Sequence, residues 1–198
     1  MAPPGEDTGL PITLTVTGQT SAPALQTYDY ALPVVSKIVS GGYPTSGCLL
    51  YKDADSDAQT RSCSEPAVFV LEGENFGLSQ PTVTVLDILN VEIECTIVKH
   101  THFAIHARLP PGIGSAVVAT TAGSIGKQRP SNTIGFLYNK PVVNSVWSGP
   151  TLKSLQKSSV FDASAPTNEL LFIFGDNFGE ISTPLNVTLN GKPCDTPA

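Results

Sequence analysis

Apolar and polar positions alternate in short runs along this chain. Ile12-Thr13-Leu14-Thr15-Val16-Thr17, Thr82-Val83-Thr84-Val85-Leu86 and Leu185-Asn186-Val187-Thr188-Leu189 each set an apolar side chain at every second place. A period of two sends alternate residues to opposite faces of a strand, so each run predicts a half-buried β-strand. Threonine and valine also suit a pleated surface. Val68-Phe69-Val70-Leu71 and Leu171-Phe172-Ile173-Phe174 are apolar throughout and predict two further strands. Helical periodicity is nearly absent: Thr151 to Ser159 reads as either one helical turn or a loop. Short strands divided by Gly, Pro, Asn and Ser clusters predict an all-β chain.

The pattern repeats. Gly73-Glu74-Asn75-Phe76-Gly77 returns as Gly175-Asp176-Asn177-Phe178-Gly179, 102 positions later, each copy after one of the apolar runs. Pro33-Val34-Val35-Ser36-Lys37-Ile38 returns as Pro141-Val142-Val143-Asn144-Ser145-Val146 at an offset of 108, with Tyr30 and Tyr138 three places ahead of the prolines. Pro3-Pro4-Gly5 returns as Pro110-Pro111-Gly112 at an offset of 107. Units of about 100 residues built from short strands predict an array of β-sandwiches. The frame divides the chain into residues 1–32, the last strands of one unit; 33–139, a complete unit; and 140–198, the first half of the next.

The order of these motifs resembles the IPT/TIG domain, an immunoglobulin-like fold. That pattern has a Pro-rich start, an apolar strand into Gly-x-Asn-Phe-Gly, a Cys turn, Pro-Pro-Gly and a closing aromatic-x-Tyr. Residues 73–77 and 175–179 carry the signature. Asn190-Gly191-Lys192-Pro193-Cys194 matches the Cys turn, and Val91-Glu92-Ile93-Glu94-Cys95 matches it loosely. Leu109-Pro110-Pro111-Gly112-Ile113-Gly114 and Ser131-Asn132-Thr133-Ile134-Gly135-Phe136-Leu137-Tyr138 supply the closing part. The resemblance implies tandem immunoglobulin-like β-sandwiches, one complete and two partial. It implies a setting in extracellular arrays, as in plexin-like receptors, growth-factor receptors and fibrocystin-like ciliary surface proteins, or in Rel-like transcription factors, where the domain mainly dimerises. Within the signature, Gly73 and Gly77 are expected to supply positive φ. Asn75 is expected to bond its own turn, and Phe76 and Phe178 to plug the sandwich ends.

Composition narrows the settings. Among 198 residues there are 17 Gly and 17 Pro, and only 14% are charged, which excludes a coiled coil or helical bundle. The 40% hydrophobic share excludes wholesale disorder. Eleven basic against 17 acidic residues give a net charge of -6, a poor match for phosphate backbones, so nucleic acid is not an expected partner. The back-to-back units and acidic balance favour the extracellular arrays. No apolar run reaches the length of a membrane helix, and residues 1–7 lack the basic-then-apolar form of a secretory signal.

Four cysteines are present. Cys48 and Cys63 bracket a polar segment that the second copy lacks in cysteine-bearing form, so a disulfide between them would staple an inserted loop. In the resembled family a cysteine placed like Cys95 often pairs with one just before Pro-Pro-Gly. Ile105-His106-Ala107-Arg108 offers none, so Cys95 is expected free, and a partner for Cys194 would lie past Ala198. Asn186-Val187-Thr188 is an N-glycosylation sequon, with Asn186 expected on an outward strand face.

Candidate chemistry is sparse. Asp53-Ala54-Asp55-Ser56-Asp57 spaces three carboxylates that can converge on Ca2+, with Asp53, Asp55 and Asp57 as ligands. The calcium-loop glycine and position-twelve glutamate are missing, and a solvated acidic loop is the simpler reading. His100, His102 and His106 read as one face of a single strand, with Phe103, Ile105 and Ala107 on the core side. On one strand His106 lies about 20 Å from His100, too far for a three-histidine site. Trp147, with Tyr43, Pro44 and Pro150, reads as a domain-junction residue or a sugar platform. No nucleophile elbow, phosphate loop or zinc-protease motif occurs, and neither enzymatic activity nor a cofactor is expected.

The expected role is therefore a structural or adhesive module in an extracellular, multi-repeat surface or fibre protein, a ciliary or flagellar filament among them. Pro33 and Pro141 restrict short joints and stiffen the array. The expected partners are neighbouring repeats or copies of the chain itself, without membrane insertion. The alternative is a ligand-binding module of a plexin-like receptor, with the Cys48–Cys63 loop as recognition surface. A carbohydrate-binding accessory domain is a third class. Unpaired strands in the two partial units raise head-to-tail strand donation between copies, against which stands truncation of a longer protein.

Overall fold

The computed structural model describes residues 3, 5–53, 61–149, 170–179, 183 and 185–194. Two compact units are present, Met1–Tyr138 and Asn139–Ala198. Every regular element among the described residues is a strand. The first unit holds β1 (Leu10–Pro11), β2 (Thr15–Val16), β3 (Gln19–Thr20), β4 (Thr27–Tyr28), β5 (Val34–Ser40), β6 (Cys48–Asp53), β7 (Arg61–Pro66) and β8 (Val68–Glu74). It continues with β9 (Thr82–Leu86), β10 (Glu92–Glu94), β11 (Ile97–His100), β12 (Ala104–Arg108), β13 (Ser115–Ala122), β14 (Arg129–Pro130) and β15 (Ile134–Leu137). The second unit holds β16 (Val142–Gly149), β17 (Leu170–Asp176), β18 (Thr188–Leu189) and β19 (Lys192–Pro193).

Two antiparallel sheets dominate the first unit, in the order β11-β12-β8-β5 and β10-β9-β13-β14, with β15 also on β13. Their inner faces meet in one core. Val35, Phe69, Leu71, Ile105 and Ala107 come from the first sheet, and Val83, Val85, Ala116, Val118 and Phe136 from the second. The alternation read in residues 82–86 is realised in β9, where Val83 and Val85 are buried and Thr82 and Thr84 are half-buried. Burying a side chain such as Leu71 or Val85 contributes about 1.5–3 kcal/mol over leaving it in water. The two layers fit a β-sandwich.

The Gly-x-Asn-Phe-Gly segment sets how β5 lies on β8. Gly73 pairs with Val35, and a Cβ on it would run into the Val34 carbonyl oxygen and the Phe76 ring. Gly73 is thus required for close approach. Positive φ occurs at Gly77, 81°, as expected, but at Asn75, 61°, in place of Gly73. Phe76 is fully buried beneath the turn, while the Asn75 amide donates to Leu32 O at 3.3 Å. The second unit repeats this geometry by itself: Gly175 lies against Val142 O and the Phe178 ring, with Asn177 at 62° and Gly179 at 88°. The pairings repeat as well. Val35↔Gly73 is followed by a shift to Lys37↔Glu72, and Val143↔Gly175 by a shift to Ser145↔Phe174.

A second local structure occurs twice inside the first unit. Tyr138 donates its hydroxyl to Pro110 O at 2.9 Å and its N–H to Gly114 O, with its ring over Gly112. Tyr30 donates its hydroxyl to Pro3 O at 2.6 Å and its N–H to Asp7 O, with its ring over Gly5. Gly114 and Asp7 share the left-handed backbone, φ 66° and 79°. Between the layers, Val35 N–H donates to Asn132 Oδ1 at 2.8 Å and Asn132 Nδ2 donates to Val35 O at 2.9 Å.

Two alternating runs do not become half-buried strands. Only Thr15 and Val16 of residues 12–17 pair, folding onto Gln19 and Thr20 across Thr17-Gly18, both at positive φ. Ile12 and Leu14 stay exposed. Thr188 and Leu189 pair only with Pro193 and Lys192, across Asn190-Gly191, again both at positive φ. Primed two-residue turns close such hairpins locally. Among the described residues neither hairpin joins a larger sheet, so the alternation has no core to face. The expected turn or loop at 151–159 lies outside the described residues.

Replacing Gly73 by Ala should destabilise the protein by about 1–3 kcal/mol through overpacking against fixed backbone. Urea unfolding followed by tryptophan-independent circular dichroism would measure it, and an unchanged midpoint would contradict the close-approach argument.

Candidate functional site

The inserted segment forms a hairpin of its own. Among the described residues β6 pairs only with β7, and a disulfide joins Cys48 to Cys63. Its base is fixed in the fold: Ala67 N–H donates to Gly47 O, Leu109 N–H to Ala67 O and Gly112 N–H to Thr45 O. Gly47 has φ +67°, and a Cβ there would run into Leu109 O. Cys48 is buried while Leu49, Leu50 and Tyr51 beside it are exposed, Leu50 at 54%. The hairpin therefore carries an apolar surface on a cross-linked stem. Of the Ca2+ candidates, Asp53 ends β6, and Asp55 and Asp57 lie outside the described residues.

The histidines are placed differently from the sequence expectation. β11 ends at His100, residues 101–103 turn, and β12 begins at Ala104. His106 then pairs opposite Lys99 and His100 opposite Ile105, so the separation along one strand does not apply. Thr101 makes the turn: its hydroxyl accepts from the N–H groups of Phe103 and Ala104. Phe103 consequently sits in the turn, 64% exposed, while Ile105 and Ala107 are buried as expected. His102 meets Phe103 edge-on at 5.1 Å. Among the described residues no three His, Cys, Asp or Glu side chains form a group that could hold a metal ion.

Cys95 is free and buried, and Cys194 is free and half-buried. Burial first, and the Glu94 charge second, push the Cys95 thiol up to about 12. Asn186 is exposed, in a coil just before β18 rather than on a strand face. Trp147 lies in β16, donates to Ser145 Oγ at 3.1 Å and meets Phe174 edge-on. Tyr43 instead packs on Phe136 at 4.9 Å, within the first unit's core.

A polar joint, unmarked by any motif, binds residues 5–32 to the sandwich. Glu6 Oε2 accepts from Leu78 N–H at 2.8 Å and Ser79 N–H at 3.0 Å, and Oε1 accepts the Ser79 hydroxyl. Asp7 accepts from the Ser124 N–H at 2.8 Å and hydroxyl at 2.6 Å. Arg129 Nη2 donates to Tyr30 O at 2.5 Å and Ala31 O at 3.1 Å. Burial raises the Glu6 carboxyl, but the Ser79 and Leu78 donors outweigh it and hold it below its ordinary value. Asp7 is held low by the Ser124 hydroxyl and N–H, with Lys127 and Arg129 adding to this. The one sequence signal was a departure from the repeat: Glu6-Asp7 stands where the next copy has Ile113-Gly114.

No family model, curated protein or solved structure matches the chain. The first unit offers an apolar, disulfide-closed hairpin and a carboxylate-lined joint, with a buried thiol that is almost entirely protonated at neutral pH.

Three outcomes follow from these environments. Reducing Cys48–Cys63, or replacing both by Ser, should lower stability by about 3 kcal/mol, the loop-closure term for some 15 residues, read as a shift in the urea midpoint. Cys95 should resist iodoacetamide at pH 8 in the native protein and react on unfolding, since the thiolate is the nucleophile; rapid native labelling would contradict its burial. Glu6 and Asp7 have lowered folded values, so their contribution is complete above their ordinary carboxylate range. It is lost as acid takes them through the lower folded values, and replacing both should flatten that acid dependence in a stability-versus-pH titration.

Proposed function

We propose that the chain is a stretch of IPT/TIG-type immunoglobulin-like units, complete over residues 33–139 and partial over 1–32 and 140–198. It serves as a non-enzymatic structural or adhesive module of an extracellular, multi-repeat surface or fibre protein. The observation that carries this reading is local structure made twice: the tyrosine–proline corner at Tyr30/Pro3 and Tyr138/Pro110. Duplicated corners at a period near 100 residues support a repeat array, in which each unit contacts chiefly its neighbours. The Cys48–Cys63 disulfide supports an oxidising compartment. Neighbouring units, or further copies of the chain, are the partners this role requires.

A receptor-type ligand-binding module is the second reading. The exposed Leu49, Leu50 and Tyr51 on the stapled hairpin favour it, because apolar side chains on a rigid loop suit recognition.

Secretion tests the first reading. Produced behind a secretory leader in eukaryotic cells, the chain should be exported oxidised at Cys48–Cys63 and carry an N-glycan that Asn186→Gln removes, seen as a mass shift. Retention as a reduced, unmodified protein would overturn the extracellular assignment. To separate the second reading, labelled chain and a variant lacking residues 49–62 are compared for binding to intact cells. Selective loss in the variant favours the receptor role, and equal binding favours the structural one.

A further inference from the structure

We propose that the turn at residues 77–79 and Ser124 form a docking socket for the Glu6-Asp7 pair, which couples residues 5–32 rigidly to the sandwich. The inference deepens the array reading by naming the device that stiffens one of its joints.

The socket consists of donors. Three backbone N–H groups, from Leu78, Ser79 and Ser124, and the two serine hydroxyls all point at the two carboxylates. Charge-assisted bonds of this kind are about twice as strong as neutral ones. The surface is kept clear by glycine: a Cβ on Gly77 would run into the Glu6 carboxylate, and one on Gly123 would crowd Asp7 Oδ1 at 3.2 Å. Both glycines have positive φ, +81° and +127°, so a larger residue is excluded by backbone as well as by space.

The chain leading out of the pair is held too. The carbonyls of Tyr30, Ala31 and Leu32 are consecutive, and all three accept from sandwich side chains, the first two from Arg129 and the third from Asn75. A linker of three residues ahead of Pro33 would otherwise rotate about several dihedrals. Here each carbonyl is tied, and the carboxylates fix the hairpin on the other side. The pair is specific to this joint: the equivalent Ile113-Gly114 carries no carboxylate, although it supports the same tyrosine corner.

That equivalence supplies the variant. Glu6→Ile/Asp7→Gly copies residues already compatible with the corner, so the hairpin keeps its fold while losing the carboxylates. Backbone 15N relaxation on the full chain reads the coupling. In the wild type, amides of residues 8–30, 34–53 and 61–138 should fit one rotational diffusion tensor with order parameters of about 0.85. In the double variant, those of 8–30 should fall toward about 0.6 or below, with the sandwich unchanged. Ser124→Ala, which leaves the charge intact, should move them the same way by less. Glu92→Gln/Glu94→Gln removes two charges elsewhere and should move nothing. Independent tumbling of residues 8–30 in the wild type, or a double variant that tumbles like the wild type, would overturn the socket. Export and glycosylation do not depend on it, so either idea can fail alone.

Discussion

The register of β5 on β8 depends on a place where no side chain fits. Gly73 meets the Val34 carbonyl and the Phe76 ring at once, and the strands shift register immediately afterwards. β8 then pairs with β12 on its other edge and sends Phe69 and Leu71 into the core. A slip of one residue would turn those side chains to solvent. The signature is thus a positioning device: the glycine admits the backbone, Asn75 and Gly77 turn the chain, and Phe76 seals the space beneath. Its recurrence at Gly175 with the same pairings has the same cause.

How much of this was legible depends on whether a pattern had a core to answer to. The alternation of Thr82 to Leu86 lies between two neighbouring strands and over a core, and it reads correctly. Ile12 to Thr17 has the same alternation, yet only its end pairs, because the Thr17-Gly18 turn closes it on itself. The histidine segment fails for another reason. Thr101 caps the turn through its hydroxyl, and a threonine among alternating residues looks like any strand position. For Gly73 the sequence signals a special glycine without saying whether φ or space requires it. The stapled hairpin was visible from Cys48 and Cys63 alone. The joint was not, since the hydrogen bonds that Glu6 and Asp7 accept come from backbone N–H groups 72 to 117 positions away and leave no mark beyond the departure of this pair from the repeat.

Two kinds of order therefore coexist in the first unit. Inside the sandwich, apolar burial decides geometry, and charge is nearly absent. Its described surface carries one direct ion pair, Lys37 with Glu72 at 3.9 Å, exposed and worth little. At the joint the balance reverses. Directional donors, two carboxylates and one guanidinium fix the chain there. The division matches what each region must do, since a core needs non-directional cohesion and a joint needs a defined angle.

Asn132 has a consequence for the outer edge of β5. Its side-chain amide bonds both the N–H and the C=O of Val35, as an adjoining strand would. At Val35 an edge so occupied offers no template to another chain. Where chains of similar sequence stand at high effective concentration, strands can exchange between neighbours and trap a protein misassembled. One amide at the edge of β5 thus guards Val35 against pairing with a borrowed strand.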